Sequence, residues 1–72
     1  MNTSQSHPSD QFELRFASLF DEGRAYSFPC DAGGQVNLDT LSERARHNYL
    51  FARATTGREF AWPSVVSPAS LH

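Results

Sequence analysis

Apolar and polar side chains alternate along two short stretches near the start of the chain. The large side chains that share one phase of this alternation are Phe12, Leu14 and Phe16 in the first stretch, and Tyr26, Phe28 and Cys30 in the second. A period of two residues is typical of a strand that buries one face. Asp21-Glu22-Gly23 lies between the stretches and matches a three-residue loop in which glycine takes the left-handed conformation. The pattern therefore predicts a β-hairpin.

A loop centred on Glu22 also predicts which residues face each other across the hairpin. The expected pairs are Phe16 with Phe28, Ser18 with Tyr26, and Leu14 with Cys30. Turn and alternation then agree, because this register places the large apolar side chains on one face. Pro29 lacks an N–H group, which favours an edge position for the second strand. After a turn over residues 31–34, Val36 and Leu38 are compatible with a very short third strand, which would make a three-stranded meander.

A helix is predicted over residues 40–56. The run Thr40-Leu41-Ser42-Glu43 matches a capping box, with Asp39 as an alternative N-cap. Gly57 supplies the left-handed residue that commonly ends a helix. At about 100° per residue, the side chains expected to cover the hairpin are Leu41, Ala45, Tyr49, Ala52 and Thr56.

The resulting fold class is α+β, with a β-hairpin packed on one helix and an extended C-terminal segment after it. That segment runs from Glu59 to Val66 around Pro63 and is predicted to pack on the core or to add an edge strand. Residues 11–66 are expected to form one domain. Residues 1–10 and 67–72 are polar or lack apolar periodicity, and we expect a disordered leader and a disordered tail.

The composition of the chain limits the kinds of site and partner that can be predicted. Cys30 is the only cysteine, so an intramolecular disulfide is excluded and a reducing, cytoplasmic location is expected. His7, His47 and His72 lack metal-ligand spacing, and we predict neither a metal nor a cofactor. No apolar run approaches the length of a membrane span. The formal charge of −2 does not favour a general polyanion binder.

Two motifs have a simple structural interpretation. Cys30, His47 and Asp31 have the residue types of a thiol nucleophile, its base and an orienting acid. However, Cys30 shares the phase of Phe28, so a buried and unreactive thiol is favoured and no enzymatic activity is predicted. Gly33-Gly34 is read as a turn, because a phosphate-binding loop needs a helix directly after it and a lysine, and the chain has no lysine.

The outward face of the predicted helix is the candidate binding surface. Leu50 and Ala54 point away from the hairpin side, and Arg46 and Arg53 flank Leu50 by one turn in each direction. An apolar centre with an arginine rim is typical of a protein interface. The residues predicted to bind a partner protein or a second copy of the chain are therefore Arg46, Leu50, Arg53 and Ala54, and a homodimer is favoured. The alternative is a nucleic-acid-associated regulator that uses the basic helix 40–56.

Residues 28–53, FPCDAGGQVNLDTLSERARHNYLFAR, resemble a pattern in short bacterial proteins of similar length and uncharacterised function. The resemblance implies a free-standing bacterial product. It implies no particular activity and no functional residue.

Overall fold

The computed structural model describes residues 12–68 and has an α+β fold in which a three-stranded antiparallel sheet packs against one helix. The elements in chain order are β1 (Phe12–Ala17), β2 (Ala25–Cys30), helix α1 (Glu43–Ala54) and β3 (Ser64–Val66). The strand order is β2-β1-β3. The predicted fold class is thereby confirmed. The predicted leader lies outside the described residues, as do residues 69–72 of the predicted tail.

The hairpin forms, but its register differs by two residues from the predicted one. The observed pairs include Phe12 with Cys30, Leu14 with Phe28, and Phe16 with Tyr26. Ser18 is the reason, because it ends the ladder and starts a five-residue loop over residues 19–23. Its N–H donates to the carbonyl of Arg24, while its Oγ accepts the N–H groups of Phe20 and Asp21. A two-residue displacement keeps each side chain on its predicted face.

The core lies between the sheet and α1. Its buried side chains are Leu14, Phe16, Phe28, Cys30, Ala52 and Phe60. The ring of Phe16 meets those of Phe28 and Tyr49 edge to face, with centroids 5.9 and 6.1 Å apart. Phe28 is therefore a diagonal neighbour of Phe16, and the prediction that they pair directly is wrong. Ala52 and Tyr49 confirm the predicted inner face of the helix, and the small Ala52 lets α1 approach the sheet closely.

The predicted strand at Val36 and Leu38 does not form. Val36 packs against the core from an irregular loop, and Leu38–Thr40 is a short 3₁₀ helix. Asn37 explains the difference, because its side-chain oxygen accepts the N–H of Asp39 and caps this turn. Asp39, the alternative helix cap, thus lies inside the 3₁₀ helix.

Helix α1 begins at Glu43, and the predicted capping box is wrong. Ser42 is the N-cap, and its Oγ accepts the N–H of Ala45 at 3.1 Å. The Thr40 hydroxyl donates instead to the carbonyl of Asn37. A helix beginning after Ser42 has alanine where a capping box needs glutamate, so a single cap bond holds its first turn.

The helix ends at Ala54, two residues earlier than predicted, and the chain then turns sharply. The carbonyl of Thr55 accepts the N–H groups of Arg58 and Glu59. Gly57 has the predicted left-handed conformation, with φ of 90°, but it belongs to this turn. The turn brings the next residue, Phe60, into the core.

The C-terminal segment pairs with β1 on the side opposite β2, and its register changes once. Leu14 lies opposite Val65, whereas Ser18 lies opposite Phe60. Four steps along β1 therefore correspond to five along the C-terminal segment. The extra residue falls at Trp62-Pro63, because the N–H of Ala61 still donates to the carbonyl of Ala17. This is a β-bulge, a feature that bends a strand and redirects a side chain.

Candidate interaction surface

The outward face of α1 carries adjacent apolar side chains. Leu50 is 52% exposed and Phe51 is 45% exposed. Ala54 follows Leu50 by one turn, Arg46 precedes it by one turn, and both are exposed. We call Arg46, Leu50, Phe51 and Ala54 the helix surface. Phe51 is not among the predicted contact residues; its half-exposed ring meets that of Phe60 edge to face, at 6.1 Å between centroids.

Arg53 is the one predicted contact residue that the structure places differently. Its Nε donates to the Tyr49 hydroxyl at 2.9 Å, and its guanidinium lies 5.8 Å from the centre of the Phe16 ring. The side chain thus leans over the edge of the core, where its charge is attracted to the aromatic faces. Arg46, Leu50 and Ala54 share the outward face, and Arg53 lies at its boundary.

The hairpin loop forms a second apolar surface, which sequence reasoning missed. Phe20 is 77% exposed and Leu19 is 49% exposed, and Asp21 and Glu22 follow them directly. We call residues 19–22 the tip. The signal was present in the sequence, because Leu19 and Phe20 are consecutive and a strand can bury only one of two neighbouring side chains.

The tip is an ordered turn. The N–H of Arg24 donates to the carbonyl of Asp21, and Gly23 has φ of 85°. Among residues 12–68 the only ion pair joins the Arg24 guanidinium to Asp21, at 3.3 Å. Glu22 has no ion-pair partner in that part of the chain and leaves the tip with an uncompensated negative charge.

Both edges of the sheet are poorly suited to adding a strand from another molecule. The hydrogen bond from Ser18 to Arg24 sets the alternation of the ladder, and by that alternation the nitrogen of Pro29 faces away from β1. Proline has no hydrogen there to donate. At the other edge, β3 is only three residues long and follows directly after Pro63. Short strands and edge prolines are the usual protection against strand addition, so contact through side chains is favoured.

Cys30 is buried, as predicted, and its surroundings do not activate it. Burial, followed by the negative charges of Asp31 and Glu13, raises the pKa of its thiol above the ordinary value. Cys30 and Asp31 line a cleft of about 660 Å³ at the end of β2. His47 is exposed on the outward side of α1 and is not part of this lining. The imidazole that a thiol nucleophile would need is therefore not assembled with Cys30.

The glycine pair belongs to a closed turn rather than a phosphate cradle. Oδ1 of Asp31 accepts the N–H groups of Gly33 and Gln35, both at 2.9 Å. Gly34 has φ of 85°, and a Cβ placed on it would lie 3.1 Å from a methyl of Val65. Position 34 requires glycine, because the backbone is left-handed there and passes close to β3.

Within residues 12–68, no three His, Cys, Asp or Glu side chains form a group that could hold a metal ion. His7 and His72 lie outside that range. The described helices are too short and too polar to cross a membrane. No protein-family model, curated protein or solved structure matches the chain.

Proposed function

We propose that this protein is a small non-enzymatic binding module that acts through protein–protein contact at the helix surface. The observation that carries the proposal is that the consecutive residues Leu50 and Phe51 are both exposed, while Tyr49 and Ala52 of the same helix pack against the sheet. An apolar centre that loses contact with water supplies most of the free energy of an interface, and a charged rim such as Arg46 orients the partner.

Self-association is part of the proposal. A domain within a chain of 72 residues buries a smaller share of its surface on folding than a larger domain does, so burial against a partner would add to its stability. A second copy would provide this stability by covering the exposed apolar side chains of the helix surface. We place the protein in the bacterial cytoplasm, since its single, buried cysteine suits a reducing compartment.

Nucleic-acid binding by the basic helix is the alternative function. Arg44 and Arg46 favour it, because both are exposed and neither has an ion-pair partner within residues 12–68. Against it, helix-turn-helix readers need a second supporting helix, and the described residues contain one α-helix. Binding to phosphates would weaken steeply with added salt, whereas contact through Leu50 would not.

Leu50→Glu tests the proposal by sedimentation velocity over a range of protein concentrations. We expect the variant to keep the wild-type circular dichroism spectrum and to weaken self-association at least about tenfold, which corresponds to about 1.4 kcal/mol, because the apolar centre is lost and a carboxylate must give up its hydration when the surface is covered. Ser27→Glu is the matched control, since it adds the same charge at an exposed position on β2. Leu50→Ser serves as a milder second variant if the glutamate disturbs folding.

Two outcomes would contradict the proposal. One is that Leu50→Glu associates as strongly as the wild type. The other is a monomeric wild type that captures the same proteins from a host lysate as Leu50→Glu does. A salt-sensitive complex of the wild type with DNA or RNA, lost in Arg44→Glu but kept in Leu50→Glu, would favour the alternative.

A further inference from the structure

We infer that the tip of one copy binds the helix surface of a second copy. The inference rests on the proposed function, because the helix surface is the receiving side. The inference adds that the partner at the helix surface is a second copy of the chain, and that this copy makes the contact through its tip. Both surfaces have an apolar centre: Leu19 and Phe20 on one, Leu50 and Phe51 on the other.

Charge decides which of these surfaces meet. The tip continues into Asp21 and Glu22, and only Asp21 is neutralised by an ion pair. The helix surface is basic, with Arg46 within it and Arg53 at its boundary. Pairing two tips brings carboxylates together, and pairing two helix surfaces brings guanidinium groups together. Like charges at an interface select against a partner, so tip against helix surface is the complementary arrangement.

The tip is also preorganised for insertion. Ser18 holds the N–H groups of Phe20 and Asp21, and the bond from Arg24 to Asp21 closes the turn. Phe20 therefore projects from a hydrogen-bonded loop, so burying its ring requires little further ordering of the backbone.

The helix surface also has a small side chain close to its two large apolar ones. Ala54 lies one turn after Leu50 and three residues after Phe51, so a small side chain follows two large ones. A phenyl ring placed over Ala54 would contact both neighbours. Packing Phe20 there removes apolar area from water on both copies.

Complementation between two defective variants tests the inference. Phe20→Ser removes the aromatic ring of the tip, and Leu50→Glu blocks the helix surface. We expect the self-association of each variant alone to be at least about tenfold weaker than that of the wild type. In an equimolar mixture, the intact tip of Leu50→Glu meets the intact helix surface of Phe20→Ser. Sedimentation of a mixture with one fluorescently labelled variant should then show a mixed complex. The control is the double variant Phe20→Ser/Leu50→Glu, which should form no complex with either single variant.

The outcomes separate this inference from the proposed function. If both single variants lose association and their mixture stays as monomeric as each alone, the tip does not bind the helix surface. If Phe20→Ser associates like the wild type while Leu50→Glu does not, the inference fails and the proposed function stands. If Leu50→Glu associates like the wild type, the proposed function fails as well. Circular dichroism of each variant shows whether lost association reflects unfolding, and Phe20→Ala replaces Phe20→Ser in that case.

Discussion

Removing the ring of Phe16 is the most direct test of the core. Phe16 has no exposed surface, and its ring meets Phe28 and Tyr49 edge to face. Phe-to-Ala changes in cores cost about 3–5 kcal/mol. The upper part of that range is expected, because two ring contacts are lost, each worth about 0.5–1.5 kcal/mol beyond area. The small Ala52 of α1 also offers little to fill the cavity.

This cost is comparable with the total stability. At about 0.05–0.15 kcal/mol per residue, a domain of this size unfolds at a cost of about 3–10 kcal/mol. Phe16→Ala should therefore lose a large part of its free energy of unfolding, so that the cooperative urea transition seen in circular dichroism shifts to far lower urea or disappears. Phe16→Leu keeps most of the apolar volume and should lose less than half as much. Phe20→Ala, the same change at an exposed ring, should stay within about 0.5 kcal/mol when the protein is dilute enough to be monomeric. A urea midpoint for Phe16→Ala equal to that of Phe20→Ala would refute the assignment of Phe16 to the core.

Two further predictions concern Cys30 and the start of α1. The thiol of Cys30 should react with a thiol reagent at least about tenfold more slowly in the native protein than in urea, because it is buried and its pKa is raised; equal rates would contradict this. Since the neutral thiol is favoured in the folded state, its contribution to stability is fully present below the ordinary thiol pKa and is lost as pH rises from that value through the raised pKa of the folded state. Cys30→Ala should remove this loss. Ser42→Ala should lower the free energy of unfolding by about 1 kcal/mol, whereas Thr40→Ala should change it by less than half of that; the reverse order in urea denaturation would restore the capping box.

The faces of the hairpin were predictable and its register was not, for a physical reason. Side chains alternate between the two faces of a strand, so a shift of the pairing by two residues leaves the same side chains pointing inward. The register depends on where the loop begins, and a loop of three residues over 21–23 looked sufficient. The hydroxyl of Ser18 moves that start, because it satisfies two loop N–H groups. The helix cap was mispredicted for a similar reason: the Thr40 hydroxyl bonds to the carbonyl of Asn37, and Ser42 caps the helix instead.

The third strand was less accessible to sequence reasoning. Leu14 and Val65 are far apart in the chain, and nothing local to Val65 specifies its partner. The extended segment was recognised from its composition, but its division into a Phe60 pairing and β3 depends on the bulge at Trp62-Pro63. Gly34 also helps to place β3, because a residue without a side chain at this position lets the loop after β2 pass beside Val65.

The candidate surfaces depend on what the core leaves uncovered. Within residues 12–68, six apolar side chains are buried, and two of these are Ala52 and Cys30; six large ones are exposed. The exposed set is Leu19, Phe20, Leu50, Phe51, Trp62 and Val65. Single exposed apolar residues are ordinary on a protein surface. Four of the six occur as consecutive pairs at the tip and on α1, next to charges of opposite sign, so a contact that buries both pairs would add apolar burial that the small core of the monomer lacks.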